Sequence, residues 1–330
     1  MRTFVVCLVL VVVAQLASDL AAAQVKYENP PLEELKAKVV ASVFNSDMVL
    51  QRDKPVPVWG WGDSGGSVSV EFAGQEKIAT VDENGKWIVT HDPMETNATG
   101  QEMTVTASHK PEPVVLKNIL IGEVWICSGQ SNMEWLLGYE IEGGEEAVAS
   151  ADYPNLRLFT VQRQLAMVPQ VTCEGTWSVC SPNNARYFSA AAFYFGQKLI
   201  AELEDVPVGL IAASRGGTPV HSWTDPIGLE VLEDSEKSED YDPEDKKNHH
   251  TPSVLFHGMI HPLIPMAIRG VIWYQGESDT TPDRLKLYRK VFPSMVNGWR
   301  TAFGQRGVPI LLRSDCSLPT RAGTQRRWDS

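Results

Sequence analysis

The chain has 330 residues, a formal net charge of −12, and 43% apolar and 21% charged residues. This length is enough for two domains with a substantial core, and the balance of residues excludes a disordered or fibrous protein. The negative charge and the lack of a sustained basic run argue against nucleic acid or an anionic membrane as a partner, because both require a basic face.

The first residues have the pattern of a cleaved secretory signal. A basic start at Arg2 is followed by an apolar run from Phe4 to Leu16 and by an alanine-rich end. The run is too short to cross a bilayer, so we predict a signal peptide over residues 1–23 and no membrane attachment after its cleavage. The mature protein is therefore expected to be secreted or lysosomal, where disulfides can form.

The cysteines and one sequon give further predictions for such a compartment. Cys173 and Cys180 are close enough in sequence to pair across a hairpin, whereas Cys127 ends an apolar strand and is expected to be a buried free thiol. Asn97 begins the one N-glycosylation sequon and is expected on a surface loop. No Cys/His spacing resembles a zinc site, so no metal is expected.

Residues 36–116 are predicted to form a small antiparallel β-sandwich domain. Short strand-like runs alternate there with turn clusters such as D-S-G-G and D-E-N-G-K. Trp59 and Trp61 are large aromatics that could stack on a sugar, but core packing is the favoured role. We expect this domain to support catalysis without taking part in it.

Residues 117–312 change to alternating strands and helices, the pattern of an α/β domain with a parallel sheet. The predicted strands are 119–127, 156–161, 206–213, 268–274 and 308–312, with helices over 188–203 and 285–303. Glu230 to His250 is a charged run that we interpret as a solvated insertion. Its His249-His250 pair has no acidic or cysteine partner at metal-ligand spacing. Residues 313–330 are predicted to be an irregular tail.

The run I-L-I-G-E-V-W-I-C-S-G-Q-S-N-M-E-W, from Ile119 to Trp135, predicts a buried strand, a tight turn and a helix start. This arrangement would place Ser131 where free backbone N–H groups and the positive end of a helix dipole can stabilise an oxyanion. Glycine at position 129 would allow a sharp turn. Taken alone, the motif favours Ser131 as a helix cap over Ser131 as a nucleophile.

Two further strand ends carry polar groups: Gly216-Gly217 follows one strand, and Gln275 with Glu277 follows another. In an open parallel sheet the ligand crevice lies outside the carboxyl ends of the strands, so these loops should meet near Ser131. A serine, a glycine N–H and a side-chain amide are the parts of a three-donor oxyanion hole for acyl transfer.

The motifs W-I-C-S-G-Q-S-N-M, S-R-G-G-T-P-V-H-S-W, G-M-I-H-P-L and G-V-I-W-Y-Q-G-E-S-D resemble, in type and order, those of the sialate O-acetylesterase family within the SGNH-hydrolase superfamily. F-N-S-D-M-V-L-Q-R-D-K-P-V-P-V-W-G-W-G resembles the opening of the family's β-domain. The resemblance implies an SGNH-type, flavodoxin-like α/β fold with flanking helices. It also implies hydrolysis of O-acetyl esters on sialic acids or related glycans without a cofactor.

Carried over position by position, the resemblance implies that Ser131 is the nucleophile. It implies that the N–H of Ser131, Gly217 (or Gly216) and Gln275 form the oxyanion hole. Residues expected to contact the substrate or support its pocket are Gln130, Asn132, Arg215 and Glu277.

The chain departs from the family pattern in two places. Arg215 and His221 stand where the family more often has an aromatic residue and a glutamate. The family also has an Asp-x-x-His-like pair near a later strand, whereas the tail of this chain contains no histidine. We therefore expect a chain truncated at its C-terminus, with the catalytic His and Asp outside it. His221 and His261 are weaker candidates for the base.

Two alternatives stay open from the sequence. A chain that keeps the pocket but lacks the base could be an inactive carbohydrate-binding or decoy form. The same scaffold could instead be an acetylesterase for plant or microbial polysaccharides such as xylan.

Overall fold

The computed structural model describes residues 25–26, 28–139, 141–233 and 248–313. The predicted signal peptide, most of the charged insertion and the predicted tail with Cys316 lie outside the described residues. No helix in the described part of the chain is both long and apolar enough to cross a membrane.

The N-terminal part has one short helix and two antiparallel sheets. Its elements are α1 (Leu32–Lys38), β1 (Val49–Gln51), β2 (Val56–Trp61), β3 (Ser67–Phe72), β4 (Gln75–Thr80), β5 (Lys86–His91), β6 (Asn97–Ala107) and β7 (Val114–Gly129). The strands of one sheet have the order β4-β3-β6-β7 and pair antiparallel, except that β1 pairs in parallel with β7; β2 pairs antiparallel with β5 in the other sheet. Buried and exposed residues alternate along β3 and β5, because one face of each sheet packs on a shared core.

Trp59 and Trp61 are almost fully buried in that core, 1% and 4% exposed. Their packing role is therefore confirmed, and neither ring is available to stack on a sugar. Asn97 is half-buried at the first residue of β6, where its side-chain oxygen accepts a hydrogen bond from the Thr99 N–H at 2.8 Å. The sequon lies on a strand and not on the predicted loop, and its glycosylation stays a prediction.

β7 belongs to both parts of the molecule. Its first half pairs antiparallel with β6, and its second half pairs in parallel with β10 (Val208–Ser214) and β11 (Gly270–Tyr274). The predicted boundary between residues 116 and 117 falls within this continuous strand. β7 is longer than the predicted strand because its outer half is partly exposed and lacks the apolar signal of the inner half.

The C-terminal part is built on parallel strands. The remaining elements are α2 (Ser131–Glu134), α3 (Gly144–Ala149), β8 (Tyr153–Thr160), β9 (Trp177–Cys180), α4 (Pro182–Ala185), α5 (Ala190–Leu203), α6 (Pro226–Leu229), α7 (Pro282–Ala302) and β12 (Ile310–Arg313). The strand order is β9-β8-β10-β7-β11-β12, parallel except for β9. The predicted α/β fold with a preceding antiparallel β-domain is confirmed.

Helices cover both faces of this sheet. α5 packs on the face that carries Trp125 and Cys127, and α7 packs on the opposite face, which carries Val124 and Ile126. After β7, the chain first adds β8 and β10 to the sheet on one side of β7, and later adds β11 on the other side. The carboxyl end of β7 is thus a topological switch point, the position where open α/β sheets bind ligands.

The predicted Cys173–Cys180 disulfide is wrong, because both residues are buried free thiols, as is Cys127. Cys173 packs in the core that includes Trp177, whereas Cys180 packs in the core on the other face of the sheet. Cys173 precedes β9 and Cys180 ends it, and the sheet lies between the two cores in which they are buried, so the two sulfurs are not brought together. Desolvation raises the pKa of the Cys180 thiol to about 12, and the free thiol of Cys127 was correctly predicted.

Candidate active site

Ser131 is the first residue of α2, directly beyond the end of the central strand β7. Gly129 makes this turn possible. It has φ +143°, and a Cβ built there would lie 2.1 Å from the Tyr274 carbonyl oxygen, so no other residue fits. The next residue, Gln130, donates its N–H to that same carbonyl at 3.0 Å. The strand, turn and helix start predicted around Ser131 are therefore present, although the helix has a single turn.

The glycine loop, residues 215–218, meets this turn from the neighbouring strand β10. The Arg215 N–H donates to the Gly129 carbonyl at 3.1 Å. A Cβ built on Gly216 would lie 3.5 Å from the Ser131 Cβ, so the loop packs directly against the serine. The predicted convergence of Ser131 with the glycine pair is thus observed.

Two backbone donors stand free in this arrangement. Among the described residues, none accepts a hydrogen bond from the N–H of Ser131 or of Gly217. Gly217 has φ +73°, a left-handed conformation that favours glycine. The Gly216 N–H, in contrast, donates to Glu134 Oε2 at 2.7 Å. Of the two glycines considered from the sequence, Gly217 is the available donor and Gly216 is not.

Gln275 departs from its predicted role as the third oxyanion donor. Its side chain is fully buried, and Nε2 donates to the Thr218 carbonyl at 3.0 Å and to Asp279 Oδ2 at 2.5 Å. Both amide protons are therefore used inside the fold. Gln275 ties the glycine loop to the 275–279 loop and leaves the oxyanion to the backbone donors.

Gln130 is also structural rather than substrate-facing. It is 3% exposed, and its side-chain carbonyl accepts from the N–H of Gly276 at 3.3 Å and of Ser278 at 3.1 Å. Asn132 and Glu277 form a hydrogen-bonded pair, with Asn132 Nδ2 donating to Glu277 Oε1. Because Asn132 follows Ser131 on α2, this pair holds the 275–279 loop against the nucleophile helix, and both side chains are half-buried.

Asp279 and Glu134 are site residues that the sequence analysis did not select. Asp279 is 1% exposed and accepts hydrogen bonds from Gln275 and from the Val220 N–H at 3.0 Å, while burial raises its pKa to about 6. Glu134 pairs through Oε1 with Arg163. A carboxylate close to a nucleophile motif in the sequence could have indicated a site residue. The residues that Glu134 and Asp279 contact could not be predicted, because most of them are distant in sequence and no local pattern marks them.

His249 and His250 lie beside the glycine loop. His250 Nε2 donates to the Gly217 carbonyl at 2.8 Å, and His249 Nε2 is 3.6 Å from the position of a Cβ built on Gly217. Burial, with the nearby charges of His250 and Arg215, lowers the pKa of His249 to about 4. The sequence pattern gave these residues no role, because nothing in the residues next to them indicates that they lie against Gly217.

The two histidines considered as alternative bases serve other purposes. His221 is 1% exposed, its Nε2 donates to the His250 carbonyl at 2.7 Å, and burial lowers its pKa to about 4. His261 lies ahead of β11, at the amino end of the strand, where its Nδ1 bonds to the Gln170 carbonyl at 2.7 Å. Among the described residues, no side chain hydrogen-bonds to the Ser131 hydroxyl.

The described residues contain no cluster of three or more His, Cys, Asp or Glu side chains arranged to hold a metal ion. The site as described consists of a half-buried serine, two backbone donors without an acceptor among the described residues, and a supporting set of carboxylates and arginines.

Comparison with known proteins agrees with this geometry. Residues 121–317 match the model of a family described as carbohydrate esterase, sialic acid-specific acetylesterase. This stretch is more than half of the chain and includes Ser131, the glycine loop and the 275–279 loop. The chain belongs to this esterase family.

Individual family members and a solved structure are similar over most of the chain. Human sialate O-acetylesterase is 34% identical over 280 residues, which cover 80% of this chain and 53% of the human protein. The Rattus norvegicus enzyme of the same name is 31% identical over 308 residues, which cover 80% of this chain and 56% of the rat protein. The crystal structure of a carbohydrate acetylesterase from Xanthomonas citri superimposes with a TM-score of 0.73 at 31% identity, over 83% of this chain and 59% of that one. The chain thus spans about half the length of the curated relatives it matches.

Proposed function

We propose that this chain carries the nucleophile and oxyanion hole of a sialate O-acetylesterase, which hydrolyses O-acetyl esters on sialic acids. The proposal depends most on one observation: Ser131 stands at the switch point of the sheet, packed against a glycine loop, with the Ser131 and Gly217 N–H groups free. Family membership and the carbohydrate acetylesterase neighbour support the same chemistry.

In this mechanism, Ser131 Oγ attacks the carbonyl carbon of the acetyl group while a general base takes the hydroxyl proton, and the carbonyl electrons move onto the oxygen. The N–H groups of Ser131 and Gly217 stabilise that oxyanion. The tetrahedral intermediate then collapses, the bond to the sugar oxygen breaks, and the protonated base gives its proton to that oxygen, so the sugar leaves as an alcohol. In the second half of the reaction the same base takes a proton from water, which attacks the acetyl-serine; acetate is released and the proton returns to Ser131 Oγ.

We also propose that the protein passes through the secretory pathway and carries a glycan at Asn97. The basic and apolar start of the chain and the N-A-T sequon at Asn97 support this. Expression in a eukaryotic secretory host, followed by treatment with peptide N-glycosidase, should give a mass shift that Asn97→Gln abolishes. Retention of the intact N-terminus on a secreted chain would contradict the signal-peptide assignment.

Acetate release tests the proposed activity. The full chain and its Ser131→Ala variant would be compared on O-acetylated sialic acid, on acetylated xylan and on an aryl acetate. Acetate released from the sialic acid ester, with a loss of several orders of magnitude in the variant, would support Ser131 as the nucleophile and would show that a base for it lies within this chain. Faster turnover of xylan would assign a polysaccharide acetylesterase instead, and sugar binding by a folded chain without turnover would assign a binding protein.

A further inference from the structure

Arg215 lies at the edge of the site, and its guanidinium has no carboxylate partner among the described residues. It follows the last residue of β10, and its backbone N–H is bound to Gly129, two residues before Ser131. Its side chain is half-buried, its Nε is buried without a hydrogen-bond partner, and no described carboxylate forms an ion pair with it. A buried donor without an acceptor is costly, so such a group is often completed by a ligand.

A second guanidinium lies near the first. Arg163, with 55% of its side chain exposed, pairs with Glu134 Oε1 on the nucleophile helix. Arg215 is close enough to both residues that its pKa is lowered by burial and by the charge of Arg163, while the charge of Glu134 acts in the opposite direction. The other Glu134 oxygen is used by the Gly216 N–H.

Two guanidinium groups therefore share one carboxylate, so one positive charge within the group of Arg163, Arg215 and Glu134 is not offset by that carboxylate. Guanidinium groups recognise carboxylates with paired hydrogen bonds, and they do so most strongly where water is partly excluded. A neutral acetylated sugar offers no charge to such a group. An acetylated sugar acid offers a carboxylate.

We propose that Arg215, assisted by Arg163, binds the carboxylate of the substrate and thereby selects acetylated acidic sugars over neutral acetylated sugars. This inference rests on the proposed function, because it assigns the substrate preference to the same site. Arg163 contributes less than Arg215, since its charge is already offset by Glu134. Both arginines are specificity-determining residues that touch no reacting atom.

Binding to the full-length Ser131→Ala chain tests the inference without any need for turnover. The two probes are O-acetylated sialic acid and the methyl ester of its carboxyl group, which keeps the sugar and removes the charge. Adding Arg215→Gln should raise Kd for the acid about tenfold or more and change Kd for the methyl ester much less, because a charge-assisted bidentate contact is lost only with the acid. Arg163→Gln should have a smaller effect of the same kind.

Arg269→Gln is the matched control. Its side chain is 55% exposed, like that of Arg163, and it lies at the opposite end of the sheet, before β11. It should leave Kd for both probes unchanged. Equal losses for acid and ester in Arg215→Gln would show a structural role and overturn the inference, as would no loss for either.

The outcomes also separate this inference from the proposed activity. A chain that prefers the acid through Arg215, but whose Ser131 form releases no acetate, contradicts the activity and supports the carboxylate site. A chain that releases acetate and binds acid and ester equally overturns the carboxylate site alone. Binding of neither probe by a folded chain contradicts both.

Discussion

Glu134 joins the nucleophile helix to the glycine loop. One carboxylate oxygen accepts the Gly216 N–H at 2.7 Å, and the other pairs with Arg163. Because Ser131 lies on the same short helix, this contact fixes the serine relative to the Gly217 N–H. Oxyanion stabilisation depends on where donors stand before the reaction begins, so Glu134 is a positioning residue.

Replacing Glu134 with alanine should lower kcat for acetate release about tenfold or more, since the Gly216 anchor and the glycine loop would relax. Glu134→Gln should recover part of the loss, because its carbonyl oxygen can still accept the Gly216 N–H. Steady-state kinetics on an aryl acetate, which has no sugar to bind, would measure this effect on kcat.

Glu145→Ala is the control for that experiment. Glu145 is an exposed carboxylate that also pairs with an arginine, Arg186, at 2.8 Å, away from the glycine loop. It should leave kcat unchanged. An unchanged kcat in Glu134→Ala would show that the loop keeps its position without this contact.

β7 is the element that organises the molecule, since it carries the β-domain at its outer half and the nucleophile turn at its carboxyl end. Its last residue, Gly129, is in direct contact with the backbone of β11 through Tyr274. Backbone packing at Gly129 therefore specifies the turn, and the side-chain hydrogen bonds of Gln130, Asn132 and Glu134 hold it against the neighbouring loops.

Gly129→Ala should lower the free energy of unfolding by at least about 2 kcal/mol, because the new methyl group overlaps the Tyr274 carbonyl and the strands must separate. Gly143→Ala is the matched control: it also has a positive φ, +72°, but its Cβ would meet no atom within 4 Å. It should cost about 1 kcal/mol or less. Denaturant unfolding would measure both, and equal effects would contradict the packing argument.

Elements with a strong local pattern were predicted well. The buried run before Ser131, the turn glycine and the following glycine loop are each specified by a few neighbouring residues, so the position of the nucleophile followed from the sequence. The role of Gln275 did not, because it depends on Asp279 and on Thr218, which belongs to a different loop. The predicted disulfide was wrong for the same kind of reason, because the distance between two cysteines in the sequence does not show on which face of the sheet each sulfur lies.

Across the whole molecule, buried histidines make stability depend on pH. His91, His221 and His257 are each at most 7% exposed, and burial lowers the pKa of each from 6.5 to about 4. The stability they contribute is present above pH 6.5 and is lost as pH falls toward 4. Asp279 acts in the opposite direction, because its pKa is raised from 3.8 to about 6 and it releases a proton on unfolding between those values.

The pKa of His249 is also lowered to about 4. Near pH 5, unfolding should take up about four protons at these four histidines and release about one at Asp279, a net uptake of about three. The free energy of unfolding should then rise by about 4 kcal/mol per pH unit in that range. Denaturant unfolding at a series of pH values measures the slope. Asp279→Asn removes the proton released at Asp279, so the free energy of unfolding should rise more steeply with pH, by an amount that corresponds to about one further proton taken up on unfolding. A free energy of unfolding that does not change with pH in the parent chain would contradict the assignment of neutral buried histidines.

The account as a whole depends on Ser131 being an activated nucleophile, and covalent labelling tests this most directly. The folded full chain would be treated with a fluorophosphonate, and the adduct would be located by peptide mass spectrometry, with Ser131→Ala and Ser222→Ala treated in parallel. Ser222 is a fully buried serine outside the nucleophile turn. We predict an adduct on Ser131 that is absent in Ser131→Ala and retained in Ser222→Ala. A folded chain that is not labelled, or that is labelled at another serine, would contradict the account.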